Sequence, residues 1–200
     1  MQRIIFFLVI SVVTVTVAFS NSEPKELLPI EPEAKQTKLF REIVTELAST
    51  HYATLEIDNE LSEDYLNNYI DRLDSSKRFF MASDIKEFQQ WQYKLDDLAK
   101  RGDISAGFYI YNRLRDRATT RIQASIDVLK SKTFAFDFKL DESITLDADN
   151  RQWFASEKQA DDFWRKAMKD SIIRLILSGK EQQEARELLI KRYKALYNQY

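Results

Sequence analysis

The 200-residue chain has no cysteine, one histidine, three glycines and three prolines. Without cysteine there is no disulfide framework, no thiolate-held zinc, no iron–sulfur cluster and no thiol nucleophile. One histidine excludes a His-rich metal site and a di-iron bundle, which needs Glu-x-x-His twice. Three glycines do not build a phosphate-cradling loop, and neither a dinucleotide fingerprint nor a Walker pattern occurs. A charge surplus is also missing. With 30 basic and 32 acidic residues the formal net charge is -2. That balance lacks the basic excess of a nucleic-acid binder.

Residues 1–20 stand apart. Arg3 is the only charge there, and Ile4 to Phe19 is an unbroken run of apolar, Ser and Thr residues. Ala18 and Ser20 put small residues where a signal peptidase reads, which predicts a secretory signal peptide cut between Ser20 and Asn21. The run is short for a membrane span of about 20 apolar residues. The alternative is an uncleaved signal anchor. All three prolines, Pro24, Pro29 and Pro32, fall in residues 21–34, an extended leader.

The absence of proline after Pro32 permits long helices. Apolar residues at helical spacing predict helices over 35–56 (Leu39, Ile43, Leu47) and 62–74 (Leu61, Tyr65, Tyr69, Leu73). A third is predicted over 84–100 (Ile85, Phe88, Trp91, Leu95, Leu98) and a fourth over about 104–131. The fourth carries Ile104, Phe108, Tyr111, Ala118, Ile122, Ile126 and Leu129 on one face. Ser62, Ser83 and Asp103 are the expected N-caps, and Gly102 suits a left-handed C-terminal position. Over 133–147 the period falls to two, with Phe134, Phe136, Phe138 and Leu140 alternating with polar or small residues. That pattern predicts a small hairpin or an extended arm. Ser156 to Gln159 is a capping box opening a helix through about 178. Gly179 breaks the pattern before a last helix from about Glu181, which reaches Tyr200 in mid-pattern. The expected fold is mainly all-α, an irregular bundle of about six helices without internal repeat. Thirteen Phe, nine Tyr and three Trp supply large side chains for its core.

Candidate chemistry is sparse. Glu63-Asp64, Asp96-Asp97 and Asp161-Asp162 are adjacent carboxylates, which point about 100° apart on a helix and read as solvated faces and first-turn acids. His51, near the expected end of the first helix, reads as a structural histidine there rather than a general base. Arg186, Lys191, Arg192 and Lys194 interleave with Glu181, Glu184 and Glu187, the pattern of a salt-bridged exposed face. Ser131-Lys132 places a hydroxyl beside an amine, but no glycine-rich turn holds a nucleophile there. The Phe134–Phe138 run suits a cover over the helical core, or else a β-edge for a peptide. No catalytic, cofactor-binding or metal-binding residue is assigned, and no cofactor is expected.

Residues 65–88 read YLNNYIDRLDSSKRFFMASDIKEF. This stretch resembles the N-terminal helical region of bacterial tail-specific proteases, also called C-terminal processing proteases. The likeness rests on Tyr65, Tyr69, Leu73-Asp74, Phe79-Phe80, Ser83-Asp84-Ile85 and Phe88, with His51-Tyr52 before them. Phe108, Tyr111-Asn112, Phe136-Asp137-Phe138, Trp153, Trp164-Arg165-Lys166, Lys169 and Arg192-Tyr193 follow in order, so that it spans about 35–200.

The resemblance implies an exported, periplasmic protein, inner-membrane-associated if the signal stays uncleaved. It implies a helical region that precedes a PDZ domain and a serine protease domain with a Ser/Lys dyad. It further implies envelope-protein substrates recognised by apolar C-termini, and a helical surface on which an adaptor can dock. No nucleic acid is implied, and membrane contact only through the signal segment. The chain reaches Tyr200 before the PDZ and catalytic segments, so no catalytic residue transfers to any position here. The expectation is a protease fragment that is not catalytic alone; the alternative is a stand-alone exported binding module, an adaptor or chaperone.

Overall fold

The computed structural model describes residues 27–50 and 57–200. Within them seven α-helices follow one another: α1 (Ala34–Thr50), α2 (Asn59–Leu73), α3 (Ala82–Phe88), α4 (Leu95–Arg101), α5 (Ser105–Lys130), α6 (Glu157–Leu177) and α7 (Gln182–Tyr197). A short 3-10 turn, Gln89–Trp91, links α3 to α4. Among the described residues the β-structure is one parallel bridge between Met81 and Phe154. The fold is mainly all-α, as the periodicity predicts. The signal segment with its Ser20–Asn21 junction, His51 and the last turns expected for the first helix lie outside the described residues.

Helix α5 is the spine, packed against α2, α6 and α7. Its buried side serves three apolar clusters in succession. Ile110 and Leu114 meet Leu66, Ile70, Phe80 and Phe88. Ala118, Ile122 and Ile126 meet Met81, Phe154 and Trp164. Val128 and Leu129 meet Phe136, Met168, Ile172 and Leu189. Each large side chain fully buried in such a cluster contributes roughly 1.5–3 kcal/mol. Rings knit the clusters: Phe80 and Phe88 meet edge to face at 5.3 Å, and Trp164 lies 5.6 Å from Phe79 and 5.9 Å from Tyr193. The Trp164 indole N–H is satisfied by the Arg78 carbonyl at 3.1 Å. Burial pushes the Tyr193 hydroxyl up to about 12.

Several expected boundaries move, each for a tertiary reason. Helix α2 starts earlier, with Asp58 as N-cap accepting from the Leu61 N–H at 3.0 Å. Ser62 is instead buried inside α2; its hydroxyl donates to the Trp91 carbonyl and accepts from the Leu95 N–H at 2.9 Å. That second bond satisfies an orphan donor at the start of α4, and the predicted 84–100 helix is broken there into α3, the 3-10 turn and α4. Ser83 lies within α3 and is exposed, while Asp84 reaches back to the Met81 N–H at 2.9 Å. On the first half of α5 the buried face is Ala106, Ile110 and Leu114, with Phe108 and Tyr111 only half-buried.

Other expectations hold wholly or in part. Gly102 ends α4 at φ 76°, whereas the N-cap position of α5 is Ile104 rather than Asp103, which accepts from the Ser105 N–H at 2.9 Å one position earlier. Ser156 caps α6 by accepting from the Gln159 N–H, while the Gln159 amide oxygen reaches the Ala155 N–H rather than that of Ser156. Residues 133–147 form an extended arm without hairpin pairing, and Phe136 is buried while Phe134 is half-buried and Phe138 exposed. Part of the leader is pinned: Asn112 accepts from the Ile30 N–H at 2.9 Å and donates to the Ile30 carbonyl at 2.8 Å.

Candidate docking groove

The charged residues singled out in the sequence are mostly spent on holding helices together. Asp84 is buried between Arg113 Nη1 at 2.7 Å and Arg117 Nε at 3.0 Å. Burial pushes its carboxyl up, but the hydrogen bonds from Arg117, the Met81 N–H and Arg113 outweigh it and hold the group below the usual range. Arg117 and Arg121 continue down α5 to Glu157 on α6, and Arg121 also pairs with Asp161. Arg113, Arg117 and Arg121 thus form a ladder at four-residue spacing that ties α3 and α6 to the spine. Asp162 pairs with Arg165 and Lys166 along α6. Asp161 and Asp162 are therefore ion-paired rather than simply solvated.

Three further groups act the same way. Glu142, on the arm, accepts from Arg165 and from Lys169 Nζ at 2.7 Å. The Arg165 hydrogen bond, against a smaller effect of burial, holds Glu142 down at about 2. Arg186 does not join an exposed ladder with Glu181, Glu184 and Glu187. It is part-buried and donates to the carbonyls of Leu129, Ser131 and Phe134, closing the C-terminal end of α5. Lys191, Arg192 and Lys194 are exposed. Asp74 accepts from the backbone N–H groups of Arg78, Phe79 and Phe80, which fixes the turn after α2. The adjacent carboxylates do not converge: Glu63 accepts from Gln92, and Asp96 sits buried beside Lys100 at 3.5 Å. Among the described residues no group of three or more His, Asp or Glu is placed to hold a metal ion. Ser131 Oγ shares a hydrogen bond with Thr133 Oγ1 at 3.0 Å and Lys132 is exposed.

The concave feature lies elsewhere. Helix α4 packs against both α1 and α2, while α1 and α2 make little contact with each other. The result is an open trough with a cavity of about 270 Å³. One wall is Phe40, Ile43, Val44 and Leu47 of α1; the other is Leu61 and Tyr65 of α2. Leu95 and Ala99 of α4 form the floor, extended by Ile104 and Gly107 towards α5. Gly102 sets how closely α1 approaches α4, because a Cβ there would come within 2.8 Å of Arg41 Cβ and 2.9 Å of the Thr37 carbonyl. The α1 stripe expected to be core is half-open: Leu39 is 53%, Ile43 48% and Leu47 45% exposed. Tyr65 stands at the rim, stacked on Tyr69 at 6.2 Å, and Tyr69 donates to the Gly107 carbonyl at 3.0 Å.

Residues 43–200 match the family model described as the tail specific protease N-terminal domain. The chain belongs to that family. It is also 31% identical over 150 residues to the tail-specific protease of Haemophilus influenzae (strain ATCC 51907 / DSM 11121 / KW20 / Rd), covering 74% of this chain and 21% of that protein. The chain thus spans about a fifth of that relative's length. In this tail specific protease N-terminal domain, several of the residues that carry the resemblance are builders of the core, while Tyr65, Ser83, Phe138 and Arg192 are exposed. Phe80, Phe88 and Trp164 are buried rings, while Asp74, Asp84 and Lys169 are buried hubs for backbone groups or ion pairs. The trough residues gave a different signal, an apolar period identical to that of a core helix. No helix among the described residues is long and apolar enough to cross a membrane.

Proposed function

We propose that the chain is the non-catalytic helical region of an exported tail-specific serine endopeptidase, acting in the periplasm as a scaffold and docking surface. The observation that carries this reading is the family match over residues 43–200, on a region whose polar side chains serve packing. Catalysis on envelope proteins with apolar C-termini belongs, in this reading, to PDZ and Ser/Lys protease segments outside the 200 residues. A Ser/Lys dyad needs a serine beside a desolvated lysine and an oxyanion hole. The buried Lys169 is committed to Glu142 and the Leu140 carbonyl, which leaves it no part in such a dyad.

The test is direct. The purified chain, incubated with a peptide carrying an apolar C-terminus and followed by mass spectrometry, should leave the peptide intact. Cleavage that survives purification to homogeneity overturns the non-catalytic reading. N-terminal sequencing of the exported protein should begin at Asn21; a chain that retains Met1 overturns the cleaved-signal reading.

The apolar trough favours one second reading, a stand-alone exported binding module. Sequencing the source gene beyond the Tyr200 codon separates the two. A frame running into PDZ and protease domains supports the first, and an immediate stop codon supports the second.

A further inference from the structure

The trough has a charge axis as well as an apolar floor. From Glu42 to Thr50 helix α1 carries two acids and no base. From Ile57 to Leu66 come Asp58, Glu60, Glu63 and Asp64, again with no base, and α4 starts after Lys94 with Asp97 beside the Lys100-paired Asp96. The opposite end is basic. Helix α4 ends in Lys100-Arg101, Lys100 being paired with Asp96, and its terminal Gly102 lies against Thr37 and Arg41 of α1, beside Lys38, which pairs with Glu42; Asp103 is the one acid lining the trough at this end. The apolar strip between the two ends, Phe40 to Leu47, is about two helical turns long.

We propose that this trough receives an amphipathic helix of a partner protein, with acidic residues at the helix N-terminus and Lys or Arg at its C-terminus. Its apolar face, spaced i, i+3, i+4 and i+7, fills the gap between Ile43 and Tyr65 as a fourth helix over α4. Charge complementarity sets its direction. The basic C-terminus lies over the acidic end formed by α2 and the start of α4, and the acidic N-terminus over Arg101 and Arg41. The occupant therefore runs antiparallel to α4. The helix macrodipole favours the same order of charges within the guest helix. This inference deepens the docking-scaffold reading and rests on it: it names the surface and the chemistry of what docks.

The test uses the full 200-residue chain and two labelled 16-residue peptides. Both carry Leu at i, i+3, i+4, i+7 and i+11. One has three Glu at the N-terminal end and three Lys at the C-terminal end; the other has the charges exchanged. Fluorescence anisotropy should show the first binding at least ten-fold tighter, with the gap closing as salt rises. Ile43→Ser or Tyr65→Ser should weaken it about ten-fold, whereas Leu177→Ser, on a fully separate exposed leucine, should not. The double variant Glu60→Lys/Asp64→Lys should narrow or reverse the preference between the peptides, and circular dichroism checks that it folds.

Equal binding of the two peptides, no binding, or equal loss with Leu177→Ser overturns the proposal. So does a dimer in analytical ultracentrifugation that Ile43→Ser converts to monomer, because the trough is then filled by a second copy. A chain that neither cleaves nor binds either peptide defeats the named occupant alone. A chain that cleaves defeats the broader reading.

Discussion

The two halves of α5 keep different company. Its C-terminal half is enclosed by α6, α7 and the arm, around Trp164, Met168 and Ile172. Its N-terminal half faces α2 and α4, beyond which α1 leaves a trough with half-exposed leucines and isoleucine. Both halves were built from the same sequence signal, apolar residues every third and fourth position. The difference is in the clamps. On the closed side Arg186 holds three carbonyls, Glu142 is gripped by Arg165 and Lys169, and Trp164 is pinned to Arg78. On the open side α1 packs on α4, and Gly102 admits the close approach of Thr37 and Arg41. An apolar stripe therefore tells which face of a helix avoids water, and the neighbours that pack on it decide how completely it is covered.

The sharpest way to break this contrast is to remove the centre of the closed side. Trp164→Ala deletes a ring that is 2% exposed and orphans the Arg78 carbonyl. Loss of a buried Trp costs about 3–5 kcal/mol, which urea unfolding followed by circular dichroism would register as a much lower midpoint. A loss below about 1 kcal/mol would mean that the site collapses easily and that the closed half is no better packed than the open one.

Next comes the charge hub between the halves. Asp84→Asn removes the negative charge facing Arg113 and Arg117 while keeping the shape. Arg113 keeps Glu87 and Arg117 keeps Glu157, so the loss is that of charge-assisted hydrogen bonds and should cost up to about 3 kcal/mol. A double-mutant cycle with Arg117→Gln should show strong coupling, since both changes delete one pair. Additive losses would show that the ladder on α5 does not work as a unit.

The arm offers a test by pH. Glu142 ionises at about 2 in the folded chain against 4.5 ordinarily. Its folded value is depressed, so its contribution is fully present above about 4.5 and disappears as pH falls from there towards about 2. Glu142→Gln should therefore lower stability at neutral pH by about 2 kcal/mol and flatten the acid limb of the stability profile. An unchanged acid limb would place the titration elsewhere, with Asp84 as the first alternative, because its carboxyl is also held low.

Much of the closed half was legible in sequence. The spacing along α6 turns Phe163, Trp164, Ala167, Met168, Ile172, Leu175 and Ile176 inward, and all are buried except Ile176, which is exposed. Ser156 and Gly102 do locally what a cap residue and a left-handed glycine do anywhere. What sequence hid were residues whose partners arrive from far along the chain. Ser62 looked like an N-cap, yet its partners are Trp91 and Leu95, about thirty positions away. Arg186 looked like part of an exposed ladder, yet it serves carbonyls more than fifty positions earlier. The α3–α4 break follows from the same long-range bonds. The four-residue spacing of Arg113, Arg117 and Arg121 puts them on one face of α5, but nothing in that spacing says that Asp84, about thirty positions earlier, is what two of them meet. The trough could not be read, because Leu39, Ile43 and Leu47 repeat every four residues whether or not a neighbour covers them.

The smallest expected effect is therefore the most discriminating for the open half. Leu47→Ser removes an apolar side chain that is already 45% exposed on the trough wall. Surface changes of this kind usually fall within about 0.5 kcal/mol. Leu189→Ser makes the same chemical change at a residue 2% exposed between α7 and the arm, where burying a hydroxyl and opening a cavity should cost several-fold more. Matched urea titrations of the two variants measure how open the trough is in solution. If Leu47→Ser proves as costly as Leu189→Ser, the α1 stripe is covered in the free chain and the trough is closed before any partner arrives. If it is nearly neutral, the apolar wall is held exposed at little cost to the fold, which is the condition a docking surface must meet.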